Sequence, residues 1–368
     1  MLATVILYSF LSVAAIQIVY YIFFSVFAFS KNKGNKLSKS PAISVLICAK
    51  NEADNLLKNI PFLLEQEYPN FELVLINDAS SDNTLEVMEE FKKKNKNIQL
   101  VNVVENENFW GNKKYALTLG IKAAKHEHLL FTDADCKPVS KEWIASMASY
   151  FTSKKSFVIG YGKYNTQKFS LVNLVVAYET LLTAIQYFSY ALLGNPYMGV
   201  GRNLAYTKTD FFNVKGFIKH IQVRSGDDDL FVQEAANKQN IAVNFHQDSF
   251  TICEAPKTFK DWFRQKRRHI STANHYKAYH QALLGLFFIS KLLFWILLPI
   301  VFIFSSYEIP LIGLGTYILI SYIIVGFSAS RLKETKVLFL MPFLEVFLVL
   351  CQIAIFSANL IEKPTHWK

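Results

Sequence analysis

The amino-acid sequence predicts an α/β domain flanked by membrane-spanning helices, one before the domain and three after it. From Ile43 onwards, short apolar runs alternate with polar stretches of helical length, a pattern typical of a parallel sheet covered by helices on both faces. Both ends of the chain instead carry long apolar stretches. Hydrophobic residues make up 52% of the 368 residues and charged residues 18%, which excludes a disordered chain and argues against a purely water-soluble one.

Residues 1–30 are predicted to form a transmembrane anchor helix. They contain no charged residue and exceed the roughly 20 residues that an α-helix needs to cross the hydrocarbon core. A cleaved signal peptide is disfavoured, because Lys31, Lys33, Lys36 and Lys39 follow the apolar run instead of preceding it. By the positive-inside rule, these lysines place the N-terminus outside and the following domain in the cytosol. The expected location is a bacterial plasma membrane.

The C-terminal region 281–360 is predicted to contain three more membrane helices, and a short tail, 361–368, follows it. The three apolar segments are 282–307, 311–330 and 337–360. The link between the second and third segments is basic and is therefore expected to be cytosolic.

Two features of the apolar segments leave alternatives open. Lys291 and Glu345 lie about equally deep in their segments, so that either they form an ion pair or Lys291 extends to the headgroups. The stretch 171–193 is nearly apolar enough to span a membrane, but Glu179 interrupts it. We expect a helix of the domain or one lying in the membrane interface there.

Charge and cysteine content exclude several functions. The formal net charge is +10, but the basic residues cluster beside membrane segments and the sequence has no nucleic-acid-binding motif. Dinucleotide-binding and ATP-hydrolysing fingerprints are absent too. The four cysteines (Cys48, Cys136, Cys253 and Cys351) are far apart and indicate neither a disulfide framework nor a zinc site. They are compatible with a reducing compartment.

The predicted domain, residues 31–280, begins with four strands separated by three helices. The expected strands are 43–48, 71–76, 98–104 and 128–131, and the expected helices are 56–66, 84–94 and 115–125. Ligands of such sheets bind beyond the C-terminal ends of the strands. Acidic residues follow three of these strands, namely Glu52, Asp78, Asp133 and Asp135. An isolated aspartate is more often a turn or helix cap, but three such sites together predict one acidic cleft.

Asp133 and Asp135 form a D-x-D motif. Two carboxylates at this spacing can hold a hard divalent cation that keeps open positions for phosphate oxygens. Further along, Asp227 and Asp228 begin a run of three aspartates, and residues 265–269 read Gln-Lys-Arg-Arg-His.

This order of motifs resembles the membrane-integrated family 2 glycosyltransferases, such as ceramide glucosyltransferase and the hyaluronan, chitin oligosaccharide and cellulose synthases. The resemblance covers about residues 43–280 and extends to the flanking helices. It implies a GT-A nucleotide-sugar domain, which has a Rossmann-like mixed sheet, held against the membrane.

On the donor side, the resemblance implies a role for five residues. Glu52 and Asp78 match the residues that hold the uridine of a UDP-sugar, and Lys113 matches the basic residue that closes over it. Asp133 and Asp135 match the motif that binds Mg²⁺ or Mn²⁺, with Asp135 as the main ligand.

On the acceptor side, the resemblance implies that Asp228 is the general base and Asp227 the first acid of the same motif. Gly201 and Arg202 lie where the family has a loop near the acceptor. Three like charges in a row could raise one pKa toward that of a working base. Alternatively, Asp229 and Asp227 only form the acidic N-terminus of a helix and have no chemical role.

Gln265 and Arg268 match the Q-x-x-R motif, whose arginine contacts the diphosphate. His269 replaces the tryptophan that usually ends this motif and stacks on the acceptor sugar, which argues against a long-polymer acceptor. The expected function is therefore inverting sugar transfer from a nucleotide sugar to a lipid or lipid-linked acceptor at the cytosolic face, in contact with membrane lipids. A processive polysaccharide synthase is the alternative, and a catalytically inactive membrane scaffold is the alternative from another class.

Overall fold

The computed structural model of the protein describes residues 1–32, 34, 40–104, 113–165, 170–223 and 225–362. Three of the lysines used to predict topology (Lys33, Lys36 and Lys39) and the tail from residue 363 lie outside the described residues. The chain divides into two units. An α/β unit comprises Lys31–Thr166 and Tyr190–Ala255, and a helical unit comprises Met1–Ser30, Gln167–Ser189 and Pro256–His366.

The secondary structure of the described residues consists of strands, α-helices and short 3₁₀ turns. The strands are β1 Ile43–Ala49, β2 Phe71–Asp78, β3 Ile98–Val103, β4 His128–Asp133, β5 Cys136–Pro138, β6 Phe157–Ile159, β7 Gly162–Asn165, β8 Leu204–Thr207, β9 Ile241–Val243 and β10 Thr251–Glu254. The α-helices are α1 Leu2–Phe29, α2 Ala53–Leu64, α3 Thr84–Lys94, α4 Lys113–Ala123, α5 Trp143–Ala148, α6 Leu171–Leu192, α7 Lys208–Asn213, α8 Asp229–Ala235, α9 Phe259–Ser271, α10 Ala278–Phe304, α11 Glu308–Leu332 and α12 Met341–Ile361.

A seven-stranded mixed sheet organises the α/β unit, with the strand order β3-β2-β1-β4-β8-β6-β9. Strands β1 to β4 run parallel, which confirms the predicted half of the sheet. Strand β8 is antiparallel to both of its neighbours, β4 and β6, so the sheet as a whole is mixed. The α/β fold class is confirmed.

The central strands are buried on both faces because helices cover the sheet. Val45, Leu46 and Ile47 of β1 are at most 1% exposed, and residues 73–76 of β2 are fully buried. These are the continuous aliphatic runs from which the strands were predicted. Their C-terminal ends, at Ala49 and Asp78, lie side by side in the parallel register, where Ala49 pairs with Asn77.

A second, three-stranded sheet has the order β5-β10-β7 and corrects the prediction for the cysteines. Cys136 on β5 lies directly opposite Cys253 on β10, and the two form a disulfide. The expectation that no disulfide is present was therefore wrong for this pair, because cross-strand register brings together two residues 117 positions apart. Cys48 and Cys351 are not in disulfides.

In the helical unit, α1 packs along α10 and α11. Polar side chains of α1 bond to the backbone of α10: Gln17 donates to the Phe287 carbonyl at 2.8 Å, and the Tyr20 hydroxyl donates to the Leu283 carbonyl at 2.6 Å. The apolar sequence of each segment explains the helices, since backbone groups in hydrocarbon must be satisfied within the segment.

Lys291 and Glu345 form an ion pair between α10 and α12, so the structure favours pairing over extension of the lysine to the headgroups. Their charged atoms lie 2.6 Å apart, and the side chains are only 4% and 1% exposed. The hydroxyls of Tyr21 and Tyr317 bond to the lysine and the glutamate respectively. This network supplies the partners that two buried charges require.

Five helices among the described residues are long and apolar enough to cross a membrane by length and composition: α1, α6, α10, α11 and α12. Helix α6 differs from the others, because 67% of its most apolar window is buried within the protein, against 22–39% for the rest. This burial agrees with a helix of the protein interior, although which helices span a bilayer stays a prediction.

Helix α9 is fixed to two other helices of this unit. The Lys266 ammonium lies 2.5 Å from the Glu179 carboxylate of α6. Arg267 donates to Asn359 at 3.0 Å and to the Ala358 carbonyl at 3.2 Å, both on α12, and Asn359 donates back to the Arg267 carbonyl at 3.0 Å. Trp262 of α9 is 1% exposed and is therefore buried within the protein.

Candidate active site

Strand β4, helix α4 and the segment before α8 bring together a set of charged residues in the α/β unit. Lys113 at the start of α4 lies between two carboxylates, 3.1 Å from Asp133 and 3.1 Å from Asp227. The three groups line a small cavity with Gly201 and Asp228. Residues nearly a hundred positions apart therefore meet at the C-terminal edge of the parallel strands.

The charges of Lys113 and Asp227 stabilise each other. Desolvation opposes the charged form of Lys113, but Asp133 and Asp227 outweigh it and raise the pKa of the lysine well above its usual value. Desolvation likewise opposes the charge of Asp227, and Lys113 overcomes it and lowers the pKa of that carboxyl. Asp227 is therefore a fixed negative charge, poorly suited to take up a proton near neutral pH.

Asp228 caps the N-terminus of α8. Its two carboxylate oxygens accept hydrogen bonds from the backbone N–H groups of Gly201 and Asp229, each at 2.8 Å. Gly226, just before the aspartates, has a φ of +89°, a conformation that L-residues with a side chain rarely adopt. This turn directs the carboxylate of Asp228 toward the cavity, where it contributes to the wall.

The environment of Asp228 raises the pKa of its carboxyl toward neutral pH. Desolvation and the negative charges of Asp227 and Asp229 raise the pKa of Asp228 to about 7, although the hydrogen bond from Gly201 opposes this shift. A general base is most effective when its pKa lies near the working pH. The two neighbouring aspartates thus have opposite pKa shifts, and only Asp228 is suited to acid–base chemistry.

Asp133 and Asp135 fit a hard divalent cation by the chemistry of their donor atoms. The Asp133 side chain is 38% exposed, and Asp135 is open to solvent, so both offer carboxylate oxygens at the rim of the cleft. Desolvation, followed by the charges of Asp133 and Glu52, raises the pKa of Asp135 to about 6. A cation would relieve the repulsion among these carboxylates.

Glu52 and Asp78 follow β1 and end β2 respectively, as predicted. Glu52 is the N-terminal cap of α2, where its carboxylate accepts from Asn55 at 2.5 Å and its backbone N–H donates to Thr84 at 2.8 Å. Asp78 is only 5% exposed. The contact of Glu52 and Asp78 with the uridine of the donor remains a prediction.

Arg202 belongs to a 3₁₀ turn, Gly201–Asn203, and its guanidinium is held by β7. It donates to the Gly162 carbonyl at 2.8 and 3.2 Å and to the Tyr164 hydroxyl at 2.8 Å. A Cβ at position 162 would lie 2.3 Å from the arginine Nε, so a larger residue there would displace the Arg202 side chain. Arg202 therefore braces the loop that carries Gly201, and its predicted position near the acceptor stays a prediction.

Gln265, Arg268 and His269 all lie on α9 in the helical unit. Residues 265 and 268 are one turn apart, so that both side chains lie on the same side of the helix. Their predicted contacts with the diphosphate and the acceptor stay predictions.

Sequence reasoning missed Lys114, a fully buried lysine behind the site. Its ammonium donates to the carbonyls of His220 at 2.8 Å and Val223 at 2.9 Å, in the segment that leads to Asp228. Burial lowers the pKa of Lys114 to about 8, against the attraction of the three aspartates. The residue stands beside Lys113 in the sequence, and no pattern distinguishes its role.

A second residue missed from the sequence is Asn203, which is fully buried. It donates to the carbonyls of Tyr161 and Ser249 at 2.9 and 2.6 Å and accepts from the Trp143 indole at 3.1 Å. Its position directly after Gly201 and Arg202, which the resemblance places in a loop near the acceptor, was the available signal.

The mixed α/β sheet, with Asp133 and Asp135 where its fourth strand ends and Lys113 between two carboxylates, has the fold class and the type of site expected of a GT-A domain. Two family descriptions match the chain: "Glycosyl transferase family 2" over residues 44–200 and "Glycosyl transferase family group 2" over residues 134–351, more than half of the chain. The protein therefore belongs to glycosyl transferase family group 2.

Proteins of similar sequence match only part of the chain. A poly-beta-1,6-N-acetyl-D-glucosamine synthase of Staphylococcus epidermidis is 40% identical over 93 residues, 25% of this chain and 21% of that protein. An uncharacterized glycosyltransferase of Haemophilus influenzae is 27% identical over 162 residues, 44% of this chain and 46% of that protein. The chain thus matches less than half the length of these relatives.

The fold has a solved counterpart in a mannosyltransferase from Pyrobaculum calidifontis, determined in complex with GDP-Man and Mn²⁺. The two share a TM-score of 0.59 at 14% identity, and the similarity covers 95% of this chain and 99% of that one. At this identity the similarity establishes the shared fold.

Proposed function

We propose that the protein is an inverting glycosyltransferase that moves a sugar from a nucleotide-sugar donor, a UDP-sugar, to a lipid or lipid-linked acceptor at the cytosolic membrane face. The observation that carries this proposal is the carboxylate of Asp228, which lines the cavity beside the Lys113 ion pairs and has a pKa of about 7. Inversion requires one base for the acceptor hydroxyl and no covalent sugar–protein intermediate.

In the proposed reaction, Asp228 accepts the proton of the acceptor hydroxyl as that oxygen attacks the anomeric carbon. The bond between the anomeric carbon and the diphosphate oxygen breaks, and the nucleoside diphosphate leaves with the bonding electrons. Gly201 and Asp229 hold the base in place through their backbone N–H groups. Asp227 stays charged beside Lys113 and keeps that lysine oriented toward the donor.

The donor side is assigned to five residues in this proposal. Asp133 and Asp135 would hold Mg²⁺ or Mn²⁺, which supplies charge stabilisation to the departing diphosphate when bound. Lys113 adds a second positive charge. Glu52 and Asp78 would bind the uridine, and the mannosyltransferase of the same fold, determined with GDP-Man and Mn²⁺, supports a nucleotide sugar and a divalent cation in general.

We further propose that residues 1–30 and three helices between 281 and 360 cross the membrane, with residues 31–280 in the cytosol and the N-terminus outside. Arg268 and Gln265, from the segment just before α10, would contact the diphosphate, with His269 near the acceptor. The apolar helices support membrane insertion.

A processive polysaccharide synthase is the second candidate. It is favoured by the similarity of one segment to poly-beta-1,6-N-acetyl-D-glucosamine synthases, up to 40% identity. His269, in place of an aromatic stacking platform, argues for single addition.

The test is transfer by purified full-length protein in lipid nanodiscs, supplied with radiolabelled nucleotide sugars and bacterial membrane lipids, with and without Mn²⁺. Asp228→Asn should lose activity by a factor of about 10²–10⁴. The matched control is Asp248→Asn, a surface acid of the same unit whose side chain is 47% exposed. Full activity of Asp228→Asn, or transfer unaffected by chelation, would contradict the mechanism, and product size distinguishes single addition from polymerisation.

A further inference from the structure

The disulfide between Cys136 and Cys253 lies beside the proposed cation site but takes no part in the proposed reaction. Cys136 begins β5 and Cys253 lies on β10, at directly paired positions with their Cα atoms 4.3 Å apart. The residues are 1% and 3% exposed. A pair so placed is held by the backbone of both strands whether or not the sulfurs are bonded.

Asp135 connects this pair to the cleft. It directly precedes Cys136, and its Oδ1 lies 3.1 Å from the Cys136 Sγ. One ligand atom of each of Asp135, Cys136 and Cys253 lies within 4.8 Å of the others. Since the Asp135 side chain is exposed while the sulfurs are buried, an ion would reach the sulfurs from the aspartate side.

The chemistry of these three groups differs from that of the D-x-D motif. Two thiolates and a carboxylate suit a borderline-soft ion such as Zn²⁺, whereas oxygen ligands alone suit Mg²⁺ or Mn²⁺. With Zn–S bonds of about 2.3 Å and tetrahedral angles, the sulfurs must lie roughly 3.8 Å apart. Side-chain rotation at two directly opposed strand positions can provide this separation without moving the backbone.

Reversible formation of this disulfide also agrees with the proposed location of the domain in the cytosol. Disulfides in cytosolic proteins are rare, and those that occur are mostly transient and redox-sensing. A cytosolic domain with a paired disulfide beside a cation ligand is therefore placed to respond to the thiol pool.

We propose that Cys136, Cys253 and Asp135 bind Zn²⁺ once the disulfide between the two cysteines is reduced. A dithiol reductant transfers two electrons and two protons to the disulfide, so that the S–S bond breaks, two thiols form and the reductant becomes a cyclic disulfide. Zn²⁺ then displaces the two thiol protons and forms two Zn–S bonds and one bond to the Asp135 carboxylate. Water fills the fourth position.

The consequence for catalysis rests on the proposed function. Zn²⁺ bound in this way occupies Asp135, so the carboxylate is withdrawn from the hard cation of the D-x-D motif. The disulfide form leaves Asp135 available. Reduction in the presence of zinc thus inhibits sugar transfer, and oxidation restores it.

The test measures zinc binding by the full-length protein, independently of activity. Protein purified without reductant should show two alkylatable thiols after denaturation, Cys48 and Cys351, and reduction with dithiothreitol should raise the number to four. After anaerobic removal of the reductant, a chromophoric competitor should report one additional Zn²⁺ per chain, bound about 10–100-fold more tightly than by the oxidised protein.

Three variants separate the outcomes. The double variant Cys136→Ser with Cys253→Ser should lose the additional zinc, and the matched control Cys48→Ser with Cys351→Ser should keep it. Asp135→Asn, which leaves both thiols, should bind zinc about tenfold more weakly if the carboxylate is a ligand. Four free thiols that persist after the purified protein is treated with oxidised glutathione, or equal zinc binding by the oxidised and reduced forms, would overturn the proposal.

Failure of this proposal is distinguishable from failure of the proposed function. Protein that transfers sugar but gains no zinc on reduction refutes the zinc site alone. Protein that binds the zinc when reduced but, in its oxidised and zinc-free form, transfers no sugar from any donor refutes the function alone.

Discussion

Replacing Asp229 by asparagine should shift the acid limb of the pH–rate profile to lower pH. Asp229 is one of the two negative charges that raise the pKa of Asp228 to about 7. Its Oδ1 accepts a hydrogen bond from the Leu230 N–H at 2.7 Å, and asparagine retains this oxygen while losing the charge. The substitution therefore removes the negative charge and keeps this hydrogen-bond acceptor.

The size of the shift follows from Coulomb's law. Two unit charges roughly 7 Å apart at an effective dielectric constant of about 20 interact by about 2.4 kcal/mol. At about 1.4 kcal/mol per pKa unit, this is an upper bound near 1.7 units. Because Asp228 is only partly buried, solvent reduces the effect, and we expect a decrease of about one unit.

The sign is fixed by the role of Asp228 as a base, which must be deprotonated to act. In the unmodified protein, kcat/KM should be half-maximal near pH 7 and fall about tenfold per pH unit below it. In Asp229→Asn the half-maximal point should move to about pH 6. Initial rates of radiolabelled sugar transfer between pH 5 and 9 provide the measurement.

Two outcomes would refute the reasoning. An acid limb in the same place in Asp229→Asn means that another group is titrating. The same limb in Asp228→Asn, which has no carboxylate at that position, assigns the titration to the donor or to a different residue. The surface variant Asp248→Asn serves as the control and should keep the profile of the unmodified protein.

Three further predictions concern lysines. Lys113→Met leaves two carboxylates without their shared cation and should lower kcat/KM by about 10²–10³-fold, with weaker binding of nucleoside diphosphate measured by calorimetry. Lys114→Met removes two hydrogen bonds to the segment before Asp228 and should lower kcat more than it raises the donor KM. Lys114→Arg keeps the positive charge and should restore part of the rate. Equal losses of rate in both variants would contradict a positioning role. Lys291→Met leaves the buried Glu345 carboxylate without its counter-charge and should lower the free energy of unfolding in detergent by about 3–5 kcal/mol. Adding Glu345→Gln should recover much of this loss.

The strand–helix order was predictable because it depends on local sequence. Buried parallel strands need continuous aliphatic residues, and β1 and β2 show them plainly. The edge of the sheet that carries the site was predictable, because the C-terminal ends of parallel strands lie side by side. This arrangement places Asp133 near residues from distant segments. The antiparallel insertion of β8 was not predictable, since its four residues carry no signal of direction.

Long-range pairing set the limit of prediction. Cys136 and Cys253 are apart in sequence, and only the register of β5 and β10 brings them together. Arg202 illustrates the same limit, because its attachment to Gly162 and Tyr164 depends on the path of β7. Lys114 carries no signal at all: two adjacent lysines look alike in sequence, yet one faces the cavity and the other supports the loop behind it.

If α12 spans the membrane as proposed, its attachment to α9 makes the position of the Q-x-x-R helix sensitive to the bilayer. Arg267 and Asn359 hold each other through reciprocal hydrogen bonds, and the arginine also bonds to the carbonyl of Glu362 at the end of α12. If α12 tilts to match a thicker or thinner membrane, α9 must follow or lose these bonds. Lipid thickness then becomes a variable that acts on the position of Arg268 without any ligand binding to the protein.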